Sequence, residues 1–171
     1  MEILPFNLGQ KRTVMATVIK SKHATVSRAP YMLYMGFVDM RNFVQFLPEE
    51  KKGEVTADYD SIKAVVQGFN IGVRIVERVP YSRIEFKDDG APFSFNITMH
   101  FDAAGGDPDK TDFHIELSAE LNMMMKMMLG SKLQEGLDKI VDALAAVSEG
   151  RVPEGVDPEL LRKAQETGKF N

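Results

Sequence analysis

The feature that most constrains the fold is a change of apolar period near the end of the chain. In "FSFNITMHF", Phe93, Phe95, Ile97, Met99 and Phe101 share one face, while Ser94, Asn96, Thr98 and His100 share the other. After the turn-rich "AAGGDPDK", the run "DFHIELSAEL" repeats the pattern. Phe113, Ile115, Leu117, Ala119 and Leu121 alternate there with His114, Glu116, Ser118 and Glu120. Two such runs joined by a Gly/Asp/Pro loop predict a hairpin with one buried face and one wet face. Beyond Leu121 the period becomes about 3.6 residues, and at about 100° per residue Leu129, Leu133, Leu137, Ile140, Leu144 and Val147 fall on one arc. Lys132, Glu135, Asp138, Lys139 and Asp142 lie opposite. A long amphipathic helix therefore lies on the sheet.

Upstream, "VMATVIKSKHATVSR" (14–28) is rich in Val, Ile and Thr and reads as one strand. Pro30 suits a first helical position, and two short helices follow in "PYMLYMGFV" and "MRNFVQFL", the second capped by Asp39 and ended before Pro48. The segments "EVTADY", "SIKAVVQG", "IGVRIVERV" and "SRIEFK" have a period near two and predict four more strands, divided at Pro80. A polar linker and a short helix, with Asp157 as N-cap, Pro158 at its first position and Gly168 as its stop, close the chain. The order is strand, two short helices, six mostly antiparallel strands and one long helix. A sheet gripping such a helix can hardly fill its own concavity, so a cavity between them is expected.

The 171 residues fit one domain, with 1–14 as an extension, 15–148 as the core and 149–171 as linker and terminal helix. A net charge of -4 offers no basic surface for phosphate contacts and argues against nucleic acid as a partner. The absence of cysteine removes disulfides, thiolate nucleophiles and sulfur-ligated zinc. The opening "MEILPFNLGQKRTV" lacks the pattern of a secretory signal, and no run approaches the roughly 20 apolar residues of a spanning helix. A soluble, cytoplasmic protein without a transmembrane segment is expected.

Three segments carry a family resemblance: "FVDMRNFVQFLPE" after the first strand, "IVERVPYSRIEF" in the middle, and "LSAELNMMMKMMLGSKLQEGLDKIVDALA" at the end. Together with the element order they resemble the START-like, or SRPBCC, superfamily, and within it a bacterial branch common in Bacteroidetes. The resemblance spans Met15 to Val147. It implies an α+β helix-grip fold like that of the birch-pollen allergen, polyketide cyclases and coenzyme Q-binding proteins. In that fold a curved seven-stranded antiparallel sheet wraps a long C-terminal helix, with two short helices between strands 1 and 2. It also implies a hydrophobic-ligand pocket between sheet and helix. The superfamily holds binders, transporters and enzymes, so the fold leaves the function open.

Five of the eleven methionines fall between Met123 and Met128, which makes the first two turns of the long helix apolar all round. Such a surface needs a cover. Met32, Met35, Phe37, Phe43 and Phe46 of the short helices offer one as ordinary core. Alternatively, the pliable thioethers form a pocket mouth that adapts to varied apolar ligands. A dimer contact or a membrane-touching patch is the third option.

Few polar residues suggest chemistry. If the last hairpin is symmetric about Asp107, His100 faces His114 and Thr98 faces Glu116. Facing imidazoles can bind a metal, with His23 the one conceivable third ligand. Both lie on the polar parity with no third ligand fixed by spacing, so two solvated histidines and no metal are expected. Glu77 shares parity with Ile71, Val73, Ile75 and Val79, whereas Arg74 and Arg78 share the other face. An inner carboxylate there would orient a ligand or act as acid or base; the plainer alternative is a strand-end residue paired with Lys20 or Lys22. No nucleophile elbow, phosphate loop or dinucleotide motif occurs, "FDAAGGDPDKTD" lacks calcium-loop spacing, and no cofactor is implied.

These observations favour non-catalytic binding of a hydrophobic or amphipathic small molecule, lipid-like, quinone or polycyclic. The expected lining is Phe93, Phe95, Ile97, Met99, Phe113, Ile115 and Leu117 from the sheet and Met125, Met128, Leu129 and Leu133 from the helix. Glu77 or Tyr59 would supply polar specificity. The alternatives are a cyclase- or hydratase-like enzyme using Glu77, or a protein-interaction module that forms a homodimer through Met124 and Met128.

Overall fold

The computed structural model describes residues 16–44, 49–66 and 68–152, together with 159 and 162. The expected extension at 1–14, the stop at Pro48 and most of the tail lie outside them; Glu159 and Arg162 are helical and pair at 2.7 Å. Eight strands form one antiparallel sheet: β1 (Thr17–Lys20), β2 (Ala24–Val26), β3 (Val55–Ala57), β4 (Ser61–Val66), β5 (Phe69–Val79), β6 (Arg83–Asp88), β7 (Phe95–Ala104) and β8 (Asp107–Ala119). Their order is β1-β8-β7-β6-β5-β4-β3, with β2 also on β8. The helices are α1 (Pro30–Phe37), α2 (Arg41–Val44), α3 (Glu49–Lys52) and α4 (Met123–Ser148). The one-turn α3 was not anticipated.

The sheet thus has the seven expected positions, but the expected first strand is two. β1 pairs Thr17 with Ala119 and Lys20 with Glu116, whereas β2 pairs Ala24 with Phe113, so one extra residue sits between them. At the break Ser21 is buried; its backbone N–H donates to the Ile115 carbonyl at 2.8 Å, and its Oγ accepts from the Ile115 N–H at 2.8 Å. A hydroxyl has taken over a ladder bond. Such a bulge flips strand parity, which is why odd-numbered Ile19 and even-numbered Val26 are both buried.

A second bulge lies in β5. Ile75 pairs with Phe86, but Glu77 pairs with Glu85 and Arg78 with Ile84, so Val76 is the extra residue. Beyond it the even position faces inward. In the last hairpin, His100 faces His114 and Thr98 faces Glu116 as expected. The turn, however, is at Gly105 and Gly106, both with positive φ (56° and 80°), and an irregularity between Ala103 and Ala104 restores the register. Symmetry about Asp107 gave the right pairs through the wrong turn.

α1 starts with Pro30 in its first turn and packs on β6, β7 and β8. Asp39 accepts from the Arg41 N–H at 3.0 Å, the expected cap of α2. α4 starts at Asn122, whose side chain accepts from the Met125 N–H at 2.8 Å, and packs on β1, β2 and β8. Its anchors to the sheet edge run from Gln134, which donates to the Lys20 carbonyl at 2.6 Å, through Asp138, which accepts from the Lys22 N–H at 2.7 Å, to Ser148, whose Oγ accepts from the Ser27 N–H at 3.0 Å. Leu137, Val141 and Ala146 are its buried residues, while Ile140, expected on the inner arc, is exposed. The i, i+4 row drifts by about 40° per step, and in the second half it brings Val141 to the core instead. Among the described residues no helix is long and apolar enough to cross a membrane.

Candidate functional site

One end of the covered sheet face is packed. Phe101 and Phe113 are fully buried there beneath Tyr34 and Phe37 of α1, and Ile115 beside Phe113 on β8 is buried too. The Phe37 ring lies parallel to Phe113 with centroids 6.0 Å apart and 5.9 Å from Phe101, while Tyr34 meets Phe101 edge-on at 6.3 Å. Burial pushes the Tyr34 phenol above its ordinary pKa, Tyr59 and Tyr81 adding to the shift and Arg78 opposing it.

Arg78 fastens this end. Its Nε and Nη2 donate to the Val38 carbonyl at 3.1 and 3.0 Å, Nη2 also to the Tyr59 carbonyl at 3.1 Å, and Nη1 to Asp60 Oδ1 at 2.7 Å. The guanidinium also lies 4.2 Å from the centre of the Tyr59 ring. A planar five-donor group is suited to such a junction, since a point charge cannot reach three carbonyl and carboxylate partners in one plane. Arg78 was expected on the outer face; the β5 bulge turns it inward.

Toward the start of α4 the same sheet face is less covered. Phe93, Phe95, Ile97 and Met99 are half-buried, as are Ile62 on β4 and Val73 on β5, and all pack against the edge of the core. On α4, Leu133 joins that rim, and Leu129 and Met125 are half-buried one and two turns earlier. The pairing Ile62–Val73 and the ladder Phe86–Ile97–Leu117 place the sheet residues on one face. Ile62 and Val73 were missed because each strand alone alternates without revealing its neighbour.

Several expected site residues are elsewhere. Phe113, Ile115 and Leu117 are packed core, 0%, 1% and 5% exposed, leaving no surface for a ligand. Tyr59 belongs to the Arg78 clamp at the closed end. Met128 is 63% exposed, off the Met125–Leu129–Leu133 row, and Met123, Met124 and Met127 are exposed too, so the short helices do not cover them. Glu77 is on the outer face, paired with Arg83 at 2.8 Å. Its expected inward parity fails because the bulge intervenes.

The histidines are not simply solvated. His100 and His114 are half-buried with parallel rings 4.4 Å apart, and the His23 ring stacks on His114 at 4.0 Å. Burial holds His114 below the usual imidazole pKa, with His23 and His100 adding to the effect.

No family model matches the chain, and no curated protein matches it. Solved structures do. Norcoclaurine synthase from Thalictrum flavum superposes with a TM-score of 0.59 at 12% identity, over 86% of this chain and 96% of that one. A protein from Thermobifida fusca gives 0.59 at 12% over 78% and 93%, and a START superfamily protein from Mycobacterium smegmatis 0.50 at 14% over 74% and 98%. At these identities the likeness is one of fold: the chain has the START-like helix-grip fold that the sequence resemblance implies.

Proposed function

We propose that the half-covered end of the inner sheet face binds a hydrophobic or amphipathic small molecule, lipid-like, quinone or polycyclic, beneath the first turns of α4. The observation that carries this is the uneven burial of one apolar face: Phe101 is 1% exposed at one end, whereas Phe93, Phe95 and Ile97 at the other are only half-buried although their neighbours Phe86, Leu117 and Ala119 are buried. Natural cores are close-packed, so an aromatic and aliphatic surface left half-covered next to an apolar helix start is a place for another apolar body. Covering roughly 300 Å² of it would contribute about 7 kcal/mol before the cost of association. Met125 and Leu129 supply adaptable walls.

An enzymatic alternative of the cyclase or hydratase kind required an inner carboxylate, and the bulge takes Glu77 away from that role. A second reading, self-association through Met123, Met124, Met127 and Met128, is favoured by their exposure of 63–79%. Native mass spectrometry of the purified protein, with extraction of co-purified molecules and titration with an apolar fluorophore, tests the ligand reading. One bound molecule per chain, with binding weakened by Phe95→Ala and Leu129→Lys, supports it. An empty protein that does not bind the fluorophore sinks it. A dimer that Met124→Lys dissociates would favour the second reading.

A further inference from the structure

The outer face of the sheet, away from the proposed ligand site, carries a histidine cluster assembled by strand register. His100 on β7 faces His114 on β8. The bulge between β1 and β2 leaves His23 beside them, where its Nδ1 meets Asp112 Oδ1 at 2.9 Å. The three imidazoles form a continuous stack, His23 on His114 at 17° between planes and His114 on His100 at 4°. Within it, His100 Nε2 and His114 Nδ1 are buried and have no hydrogen-bond partner among the described residues. Buried ring nitrogens in native proteins are ordinarily satisfied, and each exception needs a cause.

We propose that His100, His114 and Glu116 bind a divalent transition-metal ion of the zinc class across the β7–β8 ladder. Each offers a donor atom, and the three atoms lie within 4.8 Å of one another. Two imidazoles and one carboxylate suit zinc, nickel or copper rather than calcium or magnesium, and three protein ligands leave one tetrahedral position for water. The stacked rings hold their lone pairs side by side rather than convergent. Binding one ion through both therefore requires the rings to turn out of the stack about the broad χ2 torsion of histidine. A second set, His23, Asp112 and His114, is equally close, but His23 and Asp112 already satisfy each other. Asp112 in turn holds His23 against the far face of His114. Several charges bear on the site: Lys20 pairs with Glu116 loosely at 3.8 Å, Arg83, across from His100, is occupied by Glu77 and Glu85, and Asp102 faces Asp112 at the next outer-face position of the ladder.

The test is calorimetric titration of the tag-free full chain with Zn²⁺, alongside Co²⁺ absorption spectra and NMR of the histidine ring nitrogens. The expected result is one Zn²⁺ per chain with micromolar or tighter affinity, a four-coordinate Co²⁺ spectrum, and no uptake of Ca²⁺. His100→Gln and His114→Gln should each weaken Zn²⁺ by at least about tenfold, and Glu116→Gln similarly, whereas His23→Gln should change it by less than about threefold. Wild-type protein that takes up less than one equivalent overturns the proposal without reference to any variant. So does binding that survives both His100→Gln and His114→Gln, or that depends on His23 and not on His100.

Discussion

The two ends of the inner sheet face are built from the same strands in the same alternation, yet one is closed and the other half-open. At the closed end α1 lays Tyr34 and Phe37 on Phe101 and Phe113, and Arg78 fastens the segment after α1 to the β3–β4 turn through Val38, Tyr59 and Asp60. At the open end the cover is the start of α4, which is capped by Asn122 but, among the described residues, hydrogen-bonded to the sheet edge only from Gln134 onward. Burial is therefore decided by what lies over a strand and not by the strand's own pattern. The difference divides the inner face into a sealed part that stabilises the fold and the part proposed to bind a ligand.

Truncation should reveal the contrast most strongly. Phe113→Ala removes a fully buried ring between Phe37 and Phe101 and should cost about 3–5 kcal/mol, read as a lower urea midpoint. Phe95→Ala, at a partly exposed position, should cost less, roughly 1–3 kcal/mol, because less apolar area is recovered. Equal losses at the two sites would erase the distinction. Next in size is the clamp: Arg78→Met leaves the Val38 and Tyr59 carbonyls short of donors and should cost about 1–3 kcal/mol. Arg78→Lys should recover only part of that, since an ammonium lacks the planar fork. An Arg78→Met protein with an unchanged midpoint would mean that α1 is held by ring packing alone.

The sequence made the element order legible because each segment keeps one period long enough to count. The hairpin of β7 and β8 and the start of the long helix were readable for that reason, and the helix-grip resemblance agreed with them. What escaped were the bulges. Counting parity through Val76 places Glu77 inside and Arg78 outside, the reverse of what the register shows. The same error through Ser21 to His23 hides the flip that buries both Ile19 and Val26. One inserted residue leaves almost no trace in composition but reverses every side chain after it. The candidate lining was half-legible for a different reason. Alternation identified the face that carries Phe93, Phe95, Ile97 and Met99, but only tertiary placement of α1 and α4 shows that Phe113, Ile115 and Leu117 on that face are sealed.

Ligand affinity sharpens the comparison at the open end. Ile97→Ala should weaken an apolar fluorophore several-fold while costing less stability than a truncation in the sealed core, about 1–2 kcal/mol, because its side chain is partly exposed already. Phe37→Leu, at the closed end, should lower the urea midpoint and leave the fluorophore's affinity unchanged. If Phe37→Leu and Ile97→Ala weaken the fluorophore alike, the probe reports general loosening and the two ends are not separate.

The smallest expected effect is the most diagnostic of the bulge. Glu77 and Arg83 pair at 2.8 Å on the outer face with side chains 48% and 37% exposed, and exposed pairs of this kind contribute about 0–1 kcal/mol. Glu77→Gln should therefore shift stability by less than about 0.5 kcal/mol and leave fluorophore binding unchanged across pH. An inner carboxylate would behave differently: neutralising it would strengthen an apolar ligand, and the wild type would gain affinity as pH falls through its pKa. A pH-dependent affinity that disappears in Glu77→Gln would put Glu77 back inside and require β5 to run without its bulge, with Arg78 turned outward and the clamp on α1 lost.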